Sequence, residues 1–465
     1  MSSLRQLIKA GIIKLLSDGK ACKARDLVDL LKIELGRKDV EKSEVNSVLY
    51  RDLLGTVECD STFNWRLRSG VLEPGPTLQY DAKEEQDFSI RSGLIRTVAR
   101  LRSGLPPCEN LEHLTVGQER ISPQLKRVLQ LQSHAPHAWA IALGDYGAGK
   151  THTLTLFHEI ALSEGYAVCQ LSSDGFNNAL NHPQRFLPSL FATLEIPFRR
   201  TYGYTDLLHD VLSDFNLTSK LRELVSTHLE GLSTIVFESH SGLDRICTNL
   251  AAGTNHSDEW RESVRTVTSH LTGDSIRHQT GSPKHRSMAY QLLCIARDLV
   301  VALGMKGLAI AIDETESVYT KLRTYGSRLG AVRVLSALCN LAHCRVVFAI
   351  TPDAYSQLTA DLPGMLYDSP LRLPVEDIAQ WSSAITSRSV PVLDCQPLGK
   401  KDRKCLLERI ANIYPQLYGD GFSTPQFRDV WAEYVLDSPK SPVSTRILVR
   451  QAVDLMDSFR YKNGC

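Results

Sequence analysis

No run of eighteen apolar residues occurs anywhere in this chain, so no segment reads as a membrane-crossing helix. The N-terminus, MSSLRQLIKAGIIKLLSDGK, lacks an apolar stretch of seven to fifteen residues followed by a small-residue cleavage site. A secretory leader is therefore not expected, and the cytoplasm is the expected location. Neither sign of charge dominates, since 53 basic and 52 acidic residues leave a net charge of +1. That balance excludes a whole-molecule field able to hold nucleic acid or an anionic membrane, and any such contact needs a local patch. The eleven cysteines contain no CxxC pair, and the fourteen histidines are scattered. Paired-ligand structural zinc is therefore not expected, and the cysteines, mostly set among apolar neighbours, read as reduced core residues. No constellation of a nuclease, a methyltransferase or a protease stands out, so any cutting or modifying chemistry belongs to other proteins.

What is present is a chain of 465 residues, 43% of them hydrophobic, enough for a large core and two to four domains. Residues 1–70 carry three helical patterns, Leu4 to Leu16, Ala24 to Leu35 and Ser43 to Leu53. They are followed by TVECDSTFNWRLR, two short strands around a polar turn. Three helices and a β-wing describe a winged helix-turn-helix. Residues 71–110 hold a linker with two prolines and an acidic cluster, a helix from Ile90 to Leu101, and the breaker SGLPP. Residues 111–396 alternate short apolar runs with helices: AWAIALG, YAVCQLSS, GLAIAIDE, CRVVFAITPD and VPVLDC are the strands. Such runs, buried on both faces, predict an α/β core with a parallel sheet. Residues 176–300 are mostly helical, with a loop expected at 270–286, and residues 397–465 carry the helical spacing of a small C-terminal lid.

Gly144-Asp145-Tyr146-Gly147-Ala148-Gly149-Lys150-Thr151 satisfies GxxxxGK[ST] and lies between a predicted strand and a predicted helix. Glycines there let backbone N–H groups wrap phosphates, the helix start adds a favourable dipole, Lys150 reaches the β/γ oxygens, and the Thr151 hydroxyl suits Mg2+. His152 follows at the helix start, near the phosphates. A second half comes from GLAIAIDE: Asp313 ends an apolar strand where it can hold Mg2+ through water, and Glu314 can orient or deprotonate the attacking water. Two halves that agree point to ATP and Mg2+, and no NKxD-type segment asks for guanine. Thr351, closing another strand, fits a γ-phosphate sensor and fits equally well a strand cap before Pro352. Arg446 can reach the γ-phosphate from the lid, and Arg372 or Arg388 can act on a neighbouring subunit. Each of these arginines also fits a surface ion pair.

The order LRSGLPP, LTVGQER, GDYGAGKTH, GLAIAIDETE and FAITPD, with a helical lid behind it, resembles the ATP-binding proteins of bacterial BREX phage-defence systems, the BrxC and BrxD type. The resemblance covers residues 90–455. It implies an AAA+-like P-loop ATPase with nucleotide roles for Lys150 and Thr151, the metal role for Asp313 and the catalytic role for Glu314. Val116 and Gly117 would lie near the adenine. Where the lid of that family often carries Pro-Arg, this chain has Thr445 before Arg446. The resemblance also implies other defence-system proteins as partners and a homo-oligomer formed with ATP.

The segment EKSEVNSVLYRDLLGTVECDSTFNWRLR resembles winged-helix domains, including the Zα type. Lys42, Asn46 and Tyr50 share one helix face at i, i+4, i+8 spacing, Trp65 stands in the wing, and Arg51, Arg66 and Arg68 add phosphate contacts. The Pro pair that usually precedes the wing tryptophan is replaced by Thr62-Phe63-Asn64, which removes the ground for left-handed specificity. Duplex DNA is the expected partner of this module. The alternative is a protein-docking winged helix with Tyr50 and Trp65 in its core. Three functions fit the whole: an ATPase coupled to DNA, a nucleotide-gated scaffold, and an ATP-dependent transcription regulator.

Overall fold

The computed structural model describes residues 4–17, 22–34, 45, 48–49, 57–59, 64–67, 82–107, 111–131, 138–174, 180–197, 199–229, 233–254, 257–277, 283–367, 375–387, 389–419 and 444–463. It divides into two units, Met1–Phe88 and Ser89–Cys465.

In the first unit the helices Leu4–Ser17 and Ala24–Glu34 form where Ile8, Ile12 and Leu16, and then Leu27 and Leu31, repeat at four-residue spacing. Those side chains meet Val28, Val45, Val48, Leu49 and Trp65 in one buried cluster. Strands β1 (Cys22–Lys23), β2 (Val57–Cys59) and β3 (Asn64–Leu67) form an antiparallel sheet in the order β1-β3-β2. The wing segment accounts for β2 and β3. A two-residue β1 carries too little pattern to be read from sequence, and its pairing of Cys22 with Trp65 is set by the fold. Most of the predicted third helix lies outside the described residues.

The second unit is built on a seven-stranded sheet. Its strands β4 (Trp139–Leu143), β5 (Ala167–Ser172), β6 (Glu195–Ile196), β7 (Arg199–Tyr202), β8 (Leu308–Asp313), β9 (Cys344–Ile350) and β10 (Val392–Asp394) stand in the order β10-β4-β9-β8-β5-β6-β7. The five strands from β10 to β5 are parallel, and β6 and β7 add an antiparallel edge. All five parallel strands are apolar runs recognisable in the sequence. The edge pair, EI and RRTY, has neither the length nor the apolar content to stand out.

The two sheet faces differ in bulk. Trp139, Ile141, Leu308, Ile310, Ile312, Val346 and Phe348 point to one side, where Trp139 stacks on Phe348 and Trp381. Ala140, Ala142, Ala309, Ala311 and Ala349 point to the other. The helix Lys150–Ser163 packs on this alanine face through Leu154, Phe157 and Ala161. Side chains one methyl long let a helix backbone approach closely, and the helix start is thereby drawn down to the sheet's carboxyl edge.

The helix predicted from Ile90 begins at Ala82 and runs to Arg102, because the acidic stretch AKEEQDF is made largely of good helix formers. Leu94, Val98 and Leu101 pack with Leu406, Leu407, Ile410 and Tyr414 of the helices Lys400–Ala411 and Ile413–Tyr418, and with Leu448, Ala452 and Met456 of the helix Thr445–Asn463. Within the expected lid, the stretch TPQFRDVWAEYVL, which also has helical spacing, lies outside the described residues. Within the stretch expected to be loop, residues 270–286, a short 3-10 helix covers Asp274–Ile276 and the helix Pro283–Ala302 begins.

Candidate nucleotide site

The glycine loop follows β4, and its neighbours in the sheet decide what surrounds it. With β9 between β4 and β8, the ends of three parallel strands bring Gly144, Thr351 and Asp313 to one edge, with Ser172 of β5 beside Asp313. The carboxyl edge of an open parallel sheet, where successive strands diverge, is where such folds form a crevice.

Two glycines are needed for their backbone. Gly147 and Gly149 have φ of 76° and 103°, which side chains strain to adopt, and Gly149 starts the helix Lys150–Ser163. Gly144 is needed for space, because a β-carbon there would lie 2.6 Å from the Cys395 carbonyl oxygen.

Lys150 is 7% exposed. Its Nζ donates to the Gly144 carbonyl at 2.8 Å and lies 3.6 Å from Glu316 Oε1. Thr151 Oγ1 donates to Asp313 Oδ2 at 2.6 Å, and the Glu314 amide donates to Asp313 Oδ1 at 2.9 Å. Both Asp313 oxygens are therefore oriented. Glu314 itself sits in the left-handed region at φ 54°, a conformation that costs a non-glycine residue about 1–3 kcal/mol. Its Oε2 accepts a hydrogen bond from Ser172 Oγ at 3.0 Å. Ser173 secures the same turn by donating through its amide to the Asp313 carbonyl at 2.9 Å and through its hydroxyl to the Glu314 carbonyl at 2.8 Å. Thr351 is buried at the end of β9, ahead of the helix Pro352–Tyr367.

On the other flank, Arg409 donates to the Thr115 carbonyl at 2.5 Å, and Arg120 pairs with Asp402. Val116 packs against the C-terminal helical cluster, and Gly117, at φ 75°, turns the chain into the helix Gln118–Gln130. Thr115 spends its one hydroxyl proton on the Leu111 carbonyl at 2.7 Å, so the 2.9 Å contact to His152 requires His152 Nε2 to donate. Desolvation lowers the His152 pKa to about 4, and the ring is neutral at physiological pH. His152 thus ties the glycine-loop helix to the Val116–Gly117 segment.

Asp145 and Tyr146 form the exposed tip of the loop, with the Tyr146 ring 5.1 Å from Lys150 Nζ, and Ala148 is buried beneath them. Arg446 starts near Gly147, and its stem runs along Gly104 with the side chain exposed. Ser444 is closer still, its Cβ standing where a β-carbon on Gly147 would clash at 2.6 Å. Glu316, Ser172, Ser173 and Ser444 were not singled out in the sequence. The second glutamate of DETE and the serines ending YAVCQLSS were the only signals.

In the first unit, Trp65 is 5% exposed, inside the cluster formed by Ile8, Leu27 and Leu49. Arg66 is in β3 opposite Glu58. Lys42, Asn46, Tyr50, Arg51, Arg68, Arg372 and Arg388 lie outside the described residues.

A sequence model for the family described as BREX system ATP-binding protein BrxC/D matches residues 93–182 and 282–464, more than half of the chain. The chain belongs to this family. Membership makes it a nucleotide-binding component of a defence system. The matched segments contain the glycine loop, DETE, Thr351 and the C-terminal helices. Between them, residues 183–281 contribute helices to the core cluster that includes the bulky sheet face. No curated protein and no solved structure matches the chain. Among the described residues no helix is long and apolar enough to cross a membrane.

Proposed function

We propose that this BrxC/D-family chain is a Mg2+-dependent ATP hydrolase of the cytoplasm that passes its nucleotide state to duplex DNA and to other defence-system proteins. The observation that carries the reading is the 2.6 Å hydrogen bond from Thr151 to Asp313, which joins the two motif halves across 162 residues of sequence. Their hydroxyl and carboxylate are the hard oxygen ligands Mg2+ prefers, and the left-handed turns at Gly147 and Gly149 suit a backbone that wraps phosphate oxygens. Bound Mg2+ supplies positive charge to the β- and γ-phosphate oxygens.

The chain's own residues have defined tasks on this reading. Lys150 transfers its ammonium from the Gly144 carbonyl to phosphate oxygens. Glu314 leaves Ser172 so that Oε2 can take a proton from water. Thr351 stands between them at the γ end, Val116 and Gly117 border the base beside neutral His152, and the C-terminal helices act as a lid carrying Arg446. The N-terminal unit acts as the winged helix, with contact carried by Lys42, Asn46, Tyr50, Arg51 and Arg66. Arg372 or Arg388 serves a neighbouring subunit in an ATP-dependent homo-oligomer.

Glu314→Gln tests the chemistry. It is expected to keep MgATP binding while turnover falls roughly a hundredfold or more, and absence of ATP binding by the wild-type chain would sink the reading. A second reading, a nucleotide-gated switch with little turnover, is favoured by the Ser172 hydrogen bond that occupies Glu314. Under that reading defence persists in Glu314→Gln, and under the hydrolase reading it is lost. Turnover measured with and without duplex DNA, beside a sizing run with ATP, tests the coupling and the assembly.

A further inference from the structure

Glu316 is the third acidic residue of DETE and the most enclosed of the three, at 3% exposure against 8% for Asp313. Neither of its carboxylate oxygens makes a hydrogen bond among the described residues. Its charged neighbour is Lys150, 3.6 Å away, with both side chains sealed from solvent at 4% and 7% exposure. A buried carboxylate is destabilising unless paired and hydrogen-bonded. This one makes a loose ion pair, and that pair is made with the cation that a phosphate would need.

The local charge sharpens the point. Asp313 and Glu314 belong to the same turn as Glu316, so a polyphosphate entering without a metal meets three carboxylates and a lysine whose charge is already paired. A divalent cation reverses this by adding two positive charges beside Thr151 and Asp313. Glu314 contributes less to the barrier, because it is less enclosed and its Oε2 already accepts from Ser172.

We infer that Glu316 is a positioning residue that holds Lys150 and thereby makes nucleotide binding dependent on a divalent metal. The inference rests on the ATP-Mg reading of the site. It gives the buried carboxylate a task distinct from those of Asp313 and Glu314: it suppresses occupation by metal-free ATP or ADP.

The test is equilibrium binding of fluorescent ATP and ADP analogues to the full-length chain, in Mg2+ and in EDTA. Wild type is expected to bind far more tightly in Mg2+. In Glu316→Gln, binding in EDTA should strengthen by roughly tenfold or more, the scale of one partly screened charge a few ångströms away, while binding in Mg2+ changes little. Glu316→Asp, which keeps the charge, should keep the wild-type metal dependence. An unchanged EDTA-to-Mg2+ ratio in Glu316→Gln overturns the inference, as does an equal change in Glu314→Gln, which would assign the effect to general negative charge. Weaker binding in both conditions, with unfolding temperature unchanged, also overturns it by making Glu316 a support for Lys150. Should Glu316→Gln fail to fold, Glu316→Met, which removes the charge at similar size, reads the same ratio, and a ratio equal to wild type overturns it. Wild type that binds neither analogue in Mg2+ sinks the underlying ATP reading instead.

Discussion

His152 shows how one side chain can join two parts of a site and set a pH limit. Its Nε2 donates to Thr115, and desolvation lowers its pKa from 6.5 to about 4. Unfolding returns the ring to water, where it takes up a proton below pH 6.5 that the folded chain refuses. Its contribution to stability is complete above that value and is lost as pH falls towards 4. The linkage reaches about 3 kcal/mol at its limit. Thermal unfolding followed from pH about 7 to about 5 should therefore show a shallower decline in His152→Gln than in wild type, and equal slopes would count against the neutral ring. The burial of the core thiols is consistent in kind: enclosure pushes Cys169 and Cys339 upward and Cys344 up to about 12, leaving them inert.

At the scale of elements, the contact that matters most is between the helix Lys150–Ser163 and the alanine face of the sheet. Ala142 lies beside Ala349, and Ala309 beside Val168, so the surface under the helix is flat. Ala311 is fully buried on β8, in the cluster that packs under this helix. Ala311→Leu should destabilise the chain by about 1–3 kcal/mol through overpacking. It should also weaken Mg-nucleotide binding, because the displaced helix carries Lys150 and Thr151 away from Asp313. Urea midpoints and nucleotide affinity measured on one preparation check both, and a neutral result would mean that the helix tolerates a larger gap.

At the scale of the molecule, Met1–Phe88 and Ser89–Cys465 each have a core of their own. All residues of the proposed nucleotide site fall in the second unit. A chain of residues 82–465 should accordingly bind the Mg-nucleotide within about twofold of the full-length affinity, since it keeps every residue of the proposed site and the whole of the helix Ala82–Arg102. It should also lose any DNA-stimulated turnover. DNA stimulation that survives the truncation would move the duplex contact out of the winged helix. The helix Ala82–Arg102 packs with the C-terminal helices, so the cut belongs in the segment before it.

The glycine loop and the strand ending in Asp313 and Glu314 were legible in the sequence because their chemistry is local. Phosphate wrapping needs glycines and a lysine at fixed spacing, and a buried parallel strand is a continuous apolar run. The five parallel strands were legible for the same reason, while the acidic start of the helix Ala82–Arg102 was not, since helix-forming residues with little apolar periodicity look like linker. Strand order lies beyond any local pattern, and strand order decided the rest. Placing β8 beside β5 gave Glu314 its Ser172, the packing of the helix Lys150–Ser163 over that edge set Lys150 opposite Glu316, and docking of the C-terminal helices put Ser444 over Gly147. The sequence determined which phosphate chemistry is available, through residues near one another in the chain. The tertiary structure decided how that chemistry is restrained, because its partners lie more than a hundred residues away and meet only at the sheet edge.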